Sequence, residues 1–133
     1  CAGSGSLGLE ALSRGATGAV FCEWDRDALL VLKKNIQKLG FDHQAKILSG
    51  DITSLRTWHA PPAQLVLCDA PYDSGLTTKI IPRLAGLGAL QSTCIIACEV
   101  RHSESVSLPD TFAPLDNRRY GMARLFFFRY QPA

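Results

Sequence analysis

Short apolar runs alternate along this chain with stretches whose apolar positions recur every three or four residues. The first such stretch, residues 7–14, predicts a short helix with Leu7, Ala11 and Leu12 on one side and Gly15 and Gly18 around its end. Ala19-Val20-Phe21-Cys22 closes on Glu23 and predicts a buried parallel strand. Asp25 or Asp27 caps the next helix, whose stripe is Ala28, Leu29, Leu32, Ile36 and Leu39. Lys33, Lys34 and Lys38 crowd its last turns, where the helix dipole favours cations, and Gly40 ends it.

The second half repeats the alternation. Residues 45–49 predict a strand, followed by Gly50-Asp51, and residues 52–58 a short helix before Pro61-Pro62 breaks the chain. Leu65-Val66-Leu67-Cys68 is an apolar strand ending in Asp69. Residues 77–87 predict a helix in which Pro82 marks a kink or a shifted start. Residues 93–98 predict a buried strand ending on Glu99, and residues 101–109 a polar loop. Residues 112–119 and 123–130 predict two final strands joined around Tyr120-Gly121-Met122. Strands alternating with helices, then two strands in succession, predict an α/β fold: a mostly parallel, doubly wound sheet with an antiparallel end.

Composition sharpens this only modestly. The 133 residues suffice for one domain with one core, and no linker or repeat divides them. Hydrophobic content of 47% and charged content of 20% fit a globular chain. No apolar run approaches the roughly 20 residues of a membrane helix, and no basic segment followed by an apolar stretch predicts a signal peptide. The five cysteines (Cys1, Cys22, Cys68, Cys94, Cys98) form no C-x-x-C pair. Their odd count and apolar surroundings favour reduced thiols and a cytoplasmic protein, and no metal site. A net charge of +2 does not announce a nucleic-acid binder, yet Arg101, Arg118, Arg119, Arg124 and Arg129 all fall in the last third.

Candidate chemistry lies at the predicted carboxyl ends of strands, where open parallel sheets bind ligands. Gly3-Ser4-Gly5-Ser6-Leu7-Gly8 matches G-x-G-x-x-G, with Gly3, Gly5 and Gly8 as candidate cofactor contacts. Glu23 follows Gly3 by 20 residues and is placed to accept hydrogen bonds from the ribose hydroxyls of an adenosine. Asp51 reaches for the adenine amino group, and Trp24 and Ile52 offer apolar contact to its faces. This spacing does not separate a dinucleotide from S-adenosylmethionine. Taken alone, the glycines also suit a ligand-free turn, Glu23 a helix-entry acid and Asp51 a helix N-cap.

Asp69-Ala70-Pro71-Tyr72 adds a carboxylate, a backbone carbonyl and an aromatic face at a strand end, and Asp69 is also a candidate cofactor contact. The exocyclic amino group of a nucleobase is a poor nucleophile, because its lone pair is delocalised into the ring. Two acceptors, the Asp69 carboxylate and the Ala70 carbonyl, suit its two hydrogens. Tyr72 offers a stacking face, worth roughly 1–3 kcal/mol per base. Pro71 biases Ala70 towards an extended backbone. Positioning then supplies the catalysis, with neither metal nor covalent nucleophile. The plain alternative is an acid-proline turn with Tyr72 as a packing residue.

The run from Cys1 onward, together with Glu23-Trp24-Asp25, residues 32–40, Gly50-Asp51, Asp69 to Tyr72 and Arg119-Tyr120-Gly121, resembles the bacterial 16S ribosomal RNA (guanine-N2)-methyltransferase D family. The resemblance implies a Rossmann-like class I methyltransferase fold that uses S-adenosylmethionine to methylate a guanine N2 amino group in 16S ribosomal RNA or the small ribosomal subunit. It implies that Gly3, Gly5, Glu23 and Asp51 hold the cofactor, that Asp69 to Tyr72 hold the guanine, and that the protein is a monomer. Residues 1–133 are then expected to form a single methyltransferase domain lacking the family's N-terminal segment and first strand. The family's usual Asp-Pro-Pro-Tyr has alanine at residue 70 here. The carbonyl is kept and one rigid ring is lost, so a looser site is expected.

Three rivals remain at this level. An N6-adenine methyltransferase on DNA or RNA uses the same acceptor logic. A nicotinamide oxidoreductase explains the glycines and Glu23 but leaves Asp69 to Tyr72 idle. A non-catalytic methyltransferase-like binding module would bind no cofactor. His43, His59 and His102 read as surface residues, and Arg118 and Arg119 as candidate RNA-phosphate contacts.

Overall fold

The structure, a computed structural model, describes residues 1–3 and 5–132; Ser4 of the glycine turn lies outside the described residues. Its elements run α1 (Ser6–Ser13), β1 (Ala19–Glu23), α2 (Arg26–Lys38), β2 (Ala45–Ser49), a 3₁₀ turn (Ile52–Ser54), β3 (Ala63–Cys68), α3 (Leu76–Gly86), β4 (Leu90–Arg101), β5 (Phe112–Tyr120) and β6 (Ala123–Tyr130). They fall into two compact units, Cys1–Leu55 and Arg56–Ala133.

In the first unit β1 and β2 pair in parallel from Ala19↔Ala45 to Glu23↔Ser49. Parallel neighbours need a crossover, and α2 supplies it. Asp25 is the cap of α2, its carboxylate accepting from the Ala28 N–H at 2.8 Å, while Asp27 sits in the first turn. Leu9 and Leu12 of α1, Phe21 of β1, and Leu32 and Ile36 of α2 form the core. The expected α1 face is corrected: Leu7 is exposed, and the i, i+3 pair Leu9 and Leu12 turns inward. The expected helix over residues 52–58 is also corrected, being a single 3₁₀ turn with only Ile52 buried. Thr53 and Ser54 are poor helix formers, and Asp51 ties up the Thr53 N–H locally.

The second unit is a four-stranded sheet in the order β3-β4-β6-β5. β3 and β4 are parallel, joined through α3, while β4–β6 and β5–β6 are antiparallel. Pro82 stays inside α3. It leaves the carbonyl four residues back without its helical donor, a cost offset by burial of Thr77, Ile80, Ile81 and Leu84. β4 starts earlier than its apolar run, where Thr93 adopts a positive φ of 70° and an irregularity in the β3 ladder absorbs extra residues, and ends later because its ladder with β6 continues to Arg101↔Ala123. Cys94, Ile96, Cys98 and Val100 face inward from it. Pro114 is tolerated because β5 is an edge strand. No helix is long and apolar enough to cross a membrane among the described residues.

A Cβ at Gly8 would stand 2.3 Å from the Phe21 ring, whereas one at Gly86, at the end of α3, would meet nothing within 4 Å. Gly8→Ala is therefore expected to destabilise by about 1–3 kcal/mol through overpacking. Gly86→Ala should stabilise by about 0.5–1 kcal/mol. Urea unfolding of both variants measures the contrast.

Candidate functional site

The glycine turn and Glu23 meet in the first unit. Glu23 ends β1 and is only 5% exposed. One carboxylate oxygen accepts the Gly3 N–H at 2.7 Å; the other accepts the N–H groups of Trp24 and Asp25, both at 2.9 Å. The Cys1 amine lies 3.6 Å from the first oxygen. Burial on its own raises the carboxyl pKa. The N–H donors of Asp25, Gly3 and Trp24, helped by the positive amine, outweigh it and hold Glu23 below its ordinary value of 4.5. A carboxylate oxygen accepts about two hydrogen bonds, so the oxygen on Gly3 keeps an acceptor position.

The three glycines differ. Gly3, at a φ of 57°, borders open space, so its backbone can be approached by a ligand. A Cβ at Gly5 would stand 2.4 Å from Leu32, and one at Gly8 would strike Phe21. Those two glycines let α1 approach the core, and Gly5 also opens α1 in the left-handed conformation.

The Gly50 N–H donates to the Glu23 carbonyl at 3.0 Å, which brings the β2 end alongside the β1 end. Asp51 is exposed and caps the 3₁₀ turn, accepting from the Thr53 hydroxyl at 2.7 Å and from its N–H at 2.9 Å. Those two bonds hold its pKa below the usual aspartate value. Trp24 is 69% exposed beside Glu23, whereas Ile52 is buried.

In the second unit the β3–β4 register pairs Cys68 with Cys98, so Asp69 and Glu99 follow as neighbours. The hydrogen bond with Asp69, then burial, then the Asp69 charge raise the Glu99 pKa. Ala70 is 3% exposed, while Asp69 and Tyr72 face solvent. Hydrogen bonding with Cys98 first, and with Thr77 at 3.8 Å, holds the Cys68 thiol below its ordinary value although burial opposes it.

Two residues outside the predicted set brace this loop. Arg101 places its guanidinium 5.1 Å from the Tyr72 ring centroid and donates to the Asp73 carboxylate at 3.0 Å. Glu104 accepts the Asp73 N–H at 3.0 Å and the Arg101 N–H at 2.7 Å. Together they hold Asp73 at a φ of 60°, a conformation unusual for a non-glycine residue. Glu99 was visible in the sequence only as a strand end, and Arg101 only as one of several arginines; their partnership needs the sheet register. His43 and His59 are exposed as expected, but His102 is half-buried, with an Nδ1 that has no partner among the described residues. Among the described residues no group of three or more His, Cys, Asp or Glu side chains gathers as a metal site.

The family described as Conserved hypothetical protein 95 matches residues 1–129. The chain belongs to that family. Relatives named Ribosomal RNA small subunit methyltransferase D include one from Buchnera aphidicola, 32% identical over 108 residues, covering 81% of this chain and 56% of the relative. Another, from Escherichia coli, is 37% identical over 98 residues, covering 74% of this chain and 49% of the relative. The chain thus spans about half the length of these curated relatives. Among solved structures, the Haemophilus influenzae protein HI0767 superposes with a TM-score of 0.87 at 27% identity, over 98% of this chain and 83% of that one. An RNA methyltransferase from Salinibacter ruber, in complex with S-adenosyl-L-homocysteine, has a TM-score of 0.75 at 15% identity, over 99% and 78%. The family member described here has the class I methyltransferase fold, with parallel pairing of β1 with β2 and of β3 with β4, and antiparallel strands towards the end of the chain.

Because the folded Glu23 carboxyl lies below its unfolded value, its contribution to stability is present above the ordinary glutamate range and is lost as pH falls through the folded value. Glu23→Gln should flatten that acid limb and cost about 1–3 kcal/mol, since an amide N–H2 then faces backbone N–H donors. Melting temperatures from neutral to acidic pH measure both effects. For Tyr72, desolvation and then the Glu99 and Asp69 charges raise the phenol pKa, while Arg101 lowers it. Glu99→Gln should lower it and Arg101→Ala should raise it further, as read by NMR titration of labelled tyrosine.

Proposed function

We propose that this chain binds S-adenosylmethionine and transfers its methyl group to the exocyclic N2 amino group of a guanine in small-subunit (16S) ribosomal RNA. The observation that carries the reading is Asp69-Ala70-Pro71-Tyr72 at the carboxyl end of a parallel strand, its carboxylate and ring open to solvent. Relatives named Ribosomal RNA small subunit methyltransferase D support the substrate class. In this reading both units serve one methyltransferase domain, and the protein works as a cytoplasmic monomer without a metal.

The residues of the first unit fit the cofactor chemically. Glu23 retains an acceptor position beside the open Gly3 backbone, which suits ribose hydroxyls. Gly5 shapes the turn, Trp24 offers an exposed ring for the adenine, and Asp51 an exposed carboxylate. Gly8 and Ile52 act by packing behind these contacts. The bound cofactor supplies an electrophilic methyl group on a sulfonium.

The chain's own work falls on the base. The Asp69 carboxylate and the Ala70 carbonyl accept the two N2 hydrogens and concentrate the nitrogen lone pair away from the ring. Asp69 then takes the proton that the methylated nitrogen releases, and Glu99 shares it. Tyr72 holds the base by stacking, with Arg101 steadying its ring. Orientation by such contacts is worth at least two orders of magnitude in rate.

Calorimetric titration with S-adenosylhomocysteine tests the cofactor half, with binding expected for the chain and lost in Glu23→Ala. Transfer of labelled methyl to 16S ribosomal RNA, with mapping of the modified atom, tests the rest; Asp69→Ala should lower turnover by about 100-fold or more. Label found on adenine N6, or on no RNA at all, would sink the proposal.

A further inference from the structure

The β5–β6 hairpin sets two arginines against each other. Arg119 and Arg124 are directly paired across the ladder, so they share one face of the hairpin. Like charges in that relation destabilise a sheet. Neither has an acidic partner among the described residues: Arg119 donates to the Gly121 carbonyl at 3.1 Å, and Arg124 donates to Asn117 Oδ1 at 2.7 Å and to the His102 carbonyl at 3.3 Å. Neighbouring Arg118, on the opposite face by strand alternation, is neutralised by Asp116 at 2.8 Å. Arg101 and Arg14 are likewise paired, with Asp73 and Glu10. The hairpin thus holds two guanidiniums in place with neutral acceptors, leaving their combined positive charge uncompensated. At its tip Tyr120 and Met122 are exposed.

We propose that Arg119 and Arg124 form a seat for the phosphodiester groups of an RNA strand. An RNA backbone is the occupant that the charge selects, since it supplies repeated anions with planar bidentate acceptors for guanidinium. The inference rests on the reading of the substrate as RNA, and it moves the phosphate contact expected at Arg118 and Arg119 to the Arg119–Arg124 face.

Fluorescence anisotropy of the full chain with a labelled RNA hairpin, measured across a series of salt concentrations, tests it. Arg119→Gln and Arg124→Gln should each reduce the slope of log K against log salt by about 0.7–0.9, and Arg→Lys should restore most of it. Arg118→Gln removes the same formal charge and should leave the slope unchanged. Arg119→Gln relieves the repulsion, so its melting temperature should not fall, which separates lost binding from lost folding. Equal losses in all three glutamine variants, no loss in any, or no salt-dependent RNA binding by the chain would each overturn the seat. Parallel methyl-transfer assays keep the two readings apart. A reduced slope without methyl transfer sinks only the catalytic reading; methyl transfer with an unchanged slope sinks only the seat.

Discussion

Parallel pairing is the constraint on which the candidate chemistry depends. In a parallel ladder two neighbouring strands end on the same edge, and a crossover must separate them in sequence. In the first unit this brings Glu23, at the end of β1, beside the Gly50-Asp51 turn that leaves β2. In the second it sets Asp69 against Glu99. Polar side chains far apart in the chain thereby become neighbours at strand ends, where the ladder stops and backbone N–H groups become free to bind them.

How each unit handles its charge follows from that placement. Glu23 is buried as an anion because three N–H donors surround its carboxylate; without them its desolvation would favour the neutral acid. Asp69 and Glu99 are not so provided, and the Glu99 pKa rises because two carboxyls then share one region. Arg101 and Glu104 compensate nearby by tying β4 to the loop that carries Tyr72 and Asp73. Rigidity in this loop thus comes from side chains beyond the motif itself.

Much of this was legible in the sequence. The order of helices and strands and the caps at Asp25 and Asp51 follow from local patterns of apolar spacing and turn chemistry. Elsewhere local pattern misled. Leu7 belongs to an apolar stripe yet is exposed, because α1 rotates to pack Leu9 and Leu12. Residues 52–58 show no second inward-facing position to hold a helix, and only the 3₁₀ turn survives. β4 outruns its apolar run because ladder partners on β3 and β6 extend it at both ends.

By itself the sequence determined which residues are candidates for chemistry, since glycine turns, carboxylates after strands and Asp69 to Tyr72 are covalent facts read along one dimension. Only the tertiary structure decided which of them are neighbours. It separated Gly3, which borders open space, from Gly5 and Gly8, which press against Leu32 and Phe21. It neutralised Arg118 with Asp116 and left Arg119 facing Arg124. The physical reason is that strand register and helix rotation are set by the summed burial of many side chains, and a shift of one residue in a strand reverses the face of every side chain on it.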